Sequence, residues 1–478
     1  MTALDICALD GDIDLDPHLV GGKAASLNRM AALGLPVPPA FVLTTTVWRN
    51  RHGEITDPAS QLWSRIGEHI RALEHRTGRR FGAVTDPLLV SVRSGARTSM
   101  PGMMDTILNV GLAHRPAGDS FIVDVRRRLD EQFERVLGSR TPDEPWHQLR
   151  AAVLGVLASW DTPRARAYRA LHGISDDEGT AVVVQAMVFG NRDRLSGTGV
   201  LFTRDPHTGT DTVYGEWLPQ GQGEDVVSGR MNARPLTELA EAIPTAHRQL
   251  ITAGALLEQT QRDVQDIEFT IDAGRLWLLQ TRTATQSAEA RIRHAVRMAE
   301  EGVIEPADAL DRVTDADIET FLRPRLDPTV ARTATVLAHG LPAGPGIGVG
   351  TVSAEEPPTD DTATAFVLAR PTTAPEDVPA MSRAAAVVTD HGGVTSHAAV
   401  ICRDLGVVCV VGCGSDATDG LLGRIVTVDG YDGRIYDGIV AVTAPGTPED
   451  PDLVTLARWA TQSGSTDTWP QLHLSVPR

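Results

Sequence analysis

Cysteine is scarce: the 478-residue chain has four, Cys7, Cys402, Cys409 and Cys413. Three of them cluster near the C-terminus, with no second pair and no matched histidines to complete a zinc site. Buried, reduced thiols in a cytoplasmic protein are the expectation. Long apolar runs are missing as well. No stretch reaches the roughly 18 uninterrupted apolar residues of a membrane-spanning helix, so no membrane span is expected. The opening residues, MTALDICALDGDIDLD, are acidic and lack the basic n-region and apolar run of a signal peptide. An excess of positive charge is absent too. The formal net charge is −18, which repels nucleic acid and anionic membrane, so neither is expected as a partner. Internal repeats and long low-complexity tracts are not seen. What is present is ordinary for a globular chain, with 42% hydrophobic and 22% charged residues. The length suits about two to four domains with a sizeable core.

Residues 1–285 mix short strands and helices with several Gly-rich loops. Residues 286–339 read as a helical connector: Ile292, Ala295, Val296 and Ala299 share one helical face, and Gly302 sits where the helix should stop. A Gly/Pro-rich stretch, GLPAGPGIGVG at 340–350, reads as a hinge. It opens a compact α/β unit over 340–445, and residues 446–478 form a tail with one amphipathic segment, DLVTLARWA.

The most legible local structure is QDIEFTIDAGRLWLLQTR (265–282). Ile267, Phe269 and Ile271 alternate with Asp266, Glu268 and Thr270, which predicts a half-buried strand with both carboxylates on one face. A second strand follows, and Asp272-Ala273-Gly274 suits a three-residue hairpin loop. That loop length would put Gln280 and Arg282 on the carboxylate face. Two oxygen ligands beside an amide and a guanidinium suit Mg²⁺ with a triphosphate. A two-residue loop would place the pairs on opposite faces. Taken alone, a polar solvated hairpin explains the same residues.

Other segments offer phosphate contacts. GGKAASLNRM (21–30) places Lys23 at the start of a helical pattern, where backbone N–H groups favour an anion. SVRSGARTSMPGMMDT (91–106) puts Arg93 and Arg97 around a Ser/Gly loop, and fixed guanidiniums clamp phosphate oxygens. SGTGVLFTRDP (196–206) is a Gly-rich turn entering a strand, and VVVQAMVFG (182–190) is a buried strand whose far end can face an adenine edge. Each is weak in isolation. VVTDHGGVTSHAAVICRDLGVVCVVGCG (387–414) reads as strand, Gly-rich loop, helix, strand. Thr395 or Ser396 can cap the helix and Gly406 can end it, which places His397 in the first turn. There the partial positive charge would keep the imidazole neutral, as a nucleophile must be, and stabilise a phosphoryl group on it. His391 is the rival acceptor.

In this order and wording, VSVRSGARTSMPGMMDTILNVGL, GTAVVVQAMVFGN, SGTGVLFTRDPHTG, GEDVVSG, QDIEFTIDAGRLWLLQTR and GGVTSHAAV…CVVGCG resemble the pyruvate phosphate dikinases. The resemblance implies an α/β (α+β) fold: an ATP-grasp nucleotide-binding region followed by a swivelling β/β/α phosphohistidine domain. It implies that ATP donates to His397, AMP leaves, inorganic phosphate departs as pyrophosphate, and phosphohistidine remains. Lys23, Arg93 and Arg282 resemble the residues that hold the triphosphate. Asp266 and Glu268 resemble the Mg²⁺/ATP ligands, with Gln280 beside them. Thr395 matches a threonine that is a regulatory phosphorylation site in plant members. The family continues into a (β/α)₈ barrel that binds pyruvate and phosphoenolpyruvate, and this chain stops at Arg478, about where the barrel would begin. One half of a split dikinase, working with a separate barrel protein, is therefore the leading expectation. A phosphohistidine enzyme with another small-molecule acceptor comes second, and a non-catalytic nucleotide sensor third.

Overall fold

The computed structural model describes residues 5–50, 53–98, 100, 102–113, 120–223, 233–322, 325–326, 328–357, 365–442 and 450–463. The chain is mixed α/β, as expected. It divides into two compact units, Met1–Ser196 with Glu268–Thr281, and Gly197–Ile267 with Arg282–Arg478. The boundary thus falls twice inside a single hairpin.

The first unit is built on an antiparallel sheet of β1 (Ile6–Ala8), β2 (Ala40–Leu43), β5 (Val90–Gly95), β6 (Thr106–Val110) and β7 (Ala181–Ala186), in the order β1-β2-β7-β5-β6. A separate short pair joins β3 (Arg80–Phe81) to β4 (Pro87–Leu88). Strand β7, AVVVQA, is central and buried along its whole length, so it reads as a continuous apolar run without alternation. Helices Gln61–Thr77 and Pro145–Ser159 contribute Ile66, Ile70, Leu149 and Val153 to one core with Val182 and Val184. Each such buried side chain adds roughly 1.5–3 kcal/mol. Helix Pro17–Ala32 packs on β5 and β7. It is kinked at Gly21, whose φ of 79° breaks the helical path.

The second unit begins with β8 (Gly197–Phe202), β9 (Tyr214–Pro219) and β10 (Arg234–Pro235), which join the hairpin strands β11 (Gln265–Asp272) and β12 (Arg275–Thr283) in the order β10-β9-β8-β11-β12. The predicted connector helix is present as Ala288–Glu300, capped by Ser287 and followed by Gly302 at φ 73°. It packs with helices Pro306–Arg312, Asp315–Phe321 and Pro451–Ser463 through Ile292, Val296, Leu310, Ile318, Leu453 and Leu456. The DLVTLARWA segment therefore belongs to this helical layer.

The third sheet has eight strands: β13 (Val336–His339), β14 (Leu341–Gly344), β15 (Ile347–Ser353), β16 (Phe366–Arg370), β17 (Ala386–Thr389), β18 (Val408–Val411), β19 (Ile425–Asp429) and β20 (Arg434–Asp437). Their order is β13-β20-β19-β15-β16-β17-β18-β14. β13 and β14 are consecutive, separated by Gly340 alone, yet stand at opposite ends of that order. The segment 336–344 thus ties the two edges of the sheet together. The Gly/Pro stretch read as a hinge is instead β14 and β15, paired to β18, β19 and β16. Its glycines serve close packing: a Cβ at Gly348 would overlap the Ala385 carbonyl. Strands β15 to β18 run parallel. The crossover from β17 to β18 is the helix His397–Leu405.

Candidate functional site

His397 opens its helix because the loop before it is pinned. Asp390, at the end of β17, is buried and accepts from the backbone N–H and hydroxyl of Thr418 at 2.7 and 2.9 Å. The Thr389 hydroxyl donates to the His391 carbonyl at 2.8 Å. Ser396, not Thr395, is the N-cap, with its side chain accepting from Ala399, and Gly406 ends the helix in the left-handed region. Ala398, Ala399, Ile401 and Cys402 bury the inner face. His397 is left at the first helical position beyond the carboxyl end of a parallel strand, the usual place for a ligand site in an open α/β sheet. Its Nε2 is buried with no hydrogen-bond partner among the described residues. The imidazole pKa is lowered, and burial is the largest cause; the Ala374 carbonyl, Asp377 and Glu376 oppose it. The neutral state expected from the helix terminus is therefore favoured first by desolvation. His391 is exposed.

The same loop lies on the sheet of β8 and β9. The Thr395 hydroxyl donates to Glu216 Oε2 at 3.4 Å, and a Cβ at Gly393 would run into that carboxylate. Burial raises the Glu216 pKa, and the Thr395 hydrogen bond opposes the shift.

The carboxylates of β11 each meet a guanidinium. Within the second unit, Arg282 Nε and one terminal nitrogen reach the same oxygen of Asp266, at 2.8 and 2.7 Å. Within the first unit, Arg93 contacts Glu268 at 3.4 Å. Arg93 lies in β5 itself, opposite Val183 and Thr106, so only Arg97 belongs to the loop. The hairpin turn differs from expectation. It has two residues, Ala273 and Gly274, with φ of 51° and 80°, as a type I′ turn requires. By alternation alone this would turn Gln280 and Arg282 away from the carboxylates. The burial phase of β12 shifts to compensate: Leu276 and Leu278 are buried, Leu279 and Gln280 are both half-buried, and Thr281 is buried. One residue out of phase brings Arg282 back to Asp266.

Lys23 follows the Gly21 kink, in the first turn of the resumed helix. Gly21 is required there, since a Cβ would overlap the Gly95 carbonyl. The Gly22 N–H donates to the Ala96 carbonyl at 3.0 Å, so the glycine pair serves to dock Lys23 beside the Arg93 strand. Composition held a signal that motif reading missed. Lys23 is the chain's one lysine, and every other residue among the 44 lysines and arginines is arginine. A compact ammonium survives only at this position. Of GEDVVSG, residues 224–229 lie outside the described residues.

Among the described residues no group of three or more His, Cys, Asp or Glu side chains is placed to hold a metal ion. Mg²⁺ ordinarily takes one or two carboxylates together with phosphate oxygens and water, and Asp266 and Glu268 supply that number. Among the described residues no helix is long and apolar enough to cross a membrane.

The sequence model for the pyruvate phosphate dikinase AMP/ATP-binding domain matches residues 58–237, and that for the PEP-utilising enzyme mobile domain matches residues 363–433. Pyruvate, phosphate dikinase of Clostridium symbiosum is 37% identical over 492 residues, covering 88% of this chain and 56% of that protein. The chain is a relative of the pyruvate, phosphate dikinases. The dikinase of Rhizobium meliloti is 37% identical over 94% of the chain and 59% of its own length. Pyruvate, phosphate dikinase 2 of Zea mays is 38% identical over 83% and 51%. The chain thus spans about half the length of the curated relatives it matches. A solved D-alanyl-alanine synthetase A from Vibrio cholerae covers 63% of this chain and 68% of its own at 12% identity, with a TM-score of 0.26, too low to bear on the fold. His397 and Thr395 lie within the mobile-domain match, and Arg93 lies within the ATP-binding match.

Proposed function

We propose that the chain is the ATP half of a dikinase, phosphorylating His397 at the expense of ATP in the cytoplasm. The observation that carries this reading is the buried Nε2 of His397, without a hydrogen-bond partner among the described residues, in an imidazole whose pKa burial lowers, at the start of a helix inside the mobile-domain match. A neutral imidazole whose other nitrogen is turned to a backbone carbonyl presents its lone pair for attack. In the proposed reaction Nε2 attacks the β-phosphorus of ATP, the bond to the α–β bridging oxygen breaks, and AMP leaves with that oxygen. Inorganic phosphate then attacks the γ-phosphorus, pyrophosphate leaves, and one phosphoryl group stays on His397.

Phosphoryl transfer depends on positioning and charge neutralisation more than on covalent help. Lys23, Arg93 and Arg282 are proposed to hold the triphosphate, with Gln280 beside them. Asp266 and Glu268 are proposed to hold Mg²⁺, which when bound neutralises phosphate charge. Thr395 is proposed as a modification site, since a phosphate there would meet the Glu216 carboxylate and repel it. A separate pyruvate- and phosphoenolpyruvate-binding barrel protein is proposed as the partner that discharges His397. The test is AMP and pyrophosphate release from Mg·ATP and phosphate, then phosphoenolpyruvate formation once a barrel protein and pyruvate are added. Release that needs no added phosphate, or discharge to another acceptor, would replace this reading.

A further inference from the structure

The segment SGTGVLFTRDP (196–206) contains two residues that the proposed chemistry leaves unused, Thr203 and Arg204. Both follow β8 directly and both are buried. Thr203 holds both backbone groups of one residue on β11. Its N–H donates to the Gln265 carbonyl at 3.0 Å, and the Gln265 N–H donates back to its hydroxyl oxygen at 3.0 Å. The hydroxyl proton goes to Glu258 Oε2, on helix Pro244–Gln261. The hydroxyl therefore has a fixed polarity, accepting from β11 and donating to the helix. Its methyl packs as well: a Cβ at Gly254 of that helix would stand 3.4 Å from it. Arg204 fixes Glu258 in turn, with Nε and Nη2 on Glu258 Oε1 at 3.0 and 2.8 Å. On its outer side the guanidinium meets both oxygens of Glu301 and, at 3.1 Å, Asp211 Oδ1. Burial opposes its charge most strongly, and the hydrogen bonds of Glu301 and Glu258 outweigh burial. Turning Glu258 away from Thr203 would strip a buried cation of its forked partner.

We infer that Thr203 is a positioning residue for Asp266, locked in its own orientation by Glu258 and Arg204. Gln265 immediately precedes Asp266, so holding both backbone groups of Gln265 sets where β11 begins and which way the Asp266 side chain leaves it. Asp266 is then aimed at Arg282, whose Nε and terminal nitrogen share one of its oxygens. Every residue in this chain of contacts lies in the second unit. A carboxylate that meets a metal and nucleotide must be held to within about 0.5 Å, and two opposed backbone hydrogen bonds from one buried threonine supply that constraint. The part Asp266 plays with nucleotide rests on the function proposed above; the placement of its strand does not.

The test compares wild type, Thr203→Val, Thr203→Ser and Glu301→Gln in the full chain. Thr203→Val keeps the shape and removes the hydroxyl. It should speed hydrogen exchange about tenfold in peptides spanning 264–267, with β16 unchanged. It should also lower the rate of ATP-dependent His397 labelling at saturating Mg·ATP about tenfold, the usual order for losing a group that orients a metal-binding side chain. Thr203→Ser, which keeps the hydroxyl, should restore both to within about twofold. Glu301→Gln weakens only the outer side of Arg204. It should lower the urea midpoint and leave labelling within about twofold of wild type. Wild-type exchange at 264–267 in Thr203→Val would overturn the inference. So would labelling lost equally in Thr203→Val and Glu301→Gln, which would make these contacts part of the fold alone. If the wild type makes no phosphohistidine, the proposed function fails, and exchange at 264–267 still decides the placement.

Discussion

Arg282 sets Nε and a terminal nitrogen on one oxygen of Asp266, at 2.8 and 2.7 Å, while Asp266 itself is buried. A forked pair of this kind holds the guanidinium in a fixed plane, which is how arginine orients phosphate or carboxylate. Asp266→Asn keeps the shape and removes the charge. It is expected to reduce ATP-dependent labelling of the protein by about a hundredfold, the usual order for losing a preorganised electrostatic group. Quenched-flow labelling at saturating Mg·ATP checks this, and a loss under threefold would contradict it.

Lys23 permits an unusually clean test, because no other lysine competes for an amine-directed reagent. Acylation followed by peptide mapping should report Lys23 alone apart from the N-terminal amine. ATP with Mg²⁺ should slow modification of Lys23 about tenfold or more without affecting the N-terminus. Lys23→Arg should not restore activity, since a planar fork does not replace a point charge. Equal modification with and without nucleotide would remove Lys23 from the proposed site.

Gly21 has φ 79° and no room for a side chain beside Gly95. Gly21→Ala should lower unfolding free energy by about 1–3 kcal/mol and displace Lys23, visible as a lower urea midpoint together with weaker ATP binding. Gly393→Ala should leave the midpoint within error and slow His397 labelling, because the atoms nearest to its Cβ belong to the Glu216 carboxylate, the far end of a flexible side chain. Similar midpoint losses in both variants would contradict the distinction.

Two buried histidines set an acid limit. Burial, the leading cause for each, pushes His207 and His294 down to about 4 from the ordinary 6.5. The unfolded chain takes up protons below about 6.5 while the folded chain resists until about 4, so their contribution is full above 6.5 and lost as pH falls through that window. Each is worth up to about 3 kcal/mol. The urea midpoint should therefore fall between pH 7 and pH 5, and His294→Gln should flatten the decline. A midpoint independent of pH would refute this.

Much of the site was legible because local rules carry it. Alternation in QDIEFTID gave the strand with both carboxylates, and Gly406 and the Ser/Thr pair before His397 gave the helix ends. What was not legible depended on the third dimension. Gly346, Gly348 and Gly350 look like flexibility in one dimension, but Gly348 is small because the Ala385 carbonyl passes against it. The two-residue turn after Asp272 is not legible in the sequence because Ala273 adopts positive φ, which composition does not favour for alanine. The phase shift at Leu279–Gln280 that returns Arg282 to Asp266 has no marker in the sequence. Glu216 has no marker in the sequence because its significance lies in what faces it across 179 residues, the Thr395 hydroxyl.

The most direct test of the central claim is transfer of label from ATP carrying isotope at the β-phosphate, with Mg²⁺, to wild type and to His397→Ala. Wild type should take up acid-labile, base-stable label with one AMP formed per phosphoryl group, and His397→Ala should take up none. Label retained in His397→Ala, or no label on a folded, ATP-binding wild type, would contradict the account.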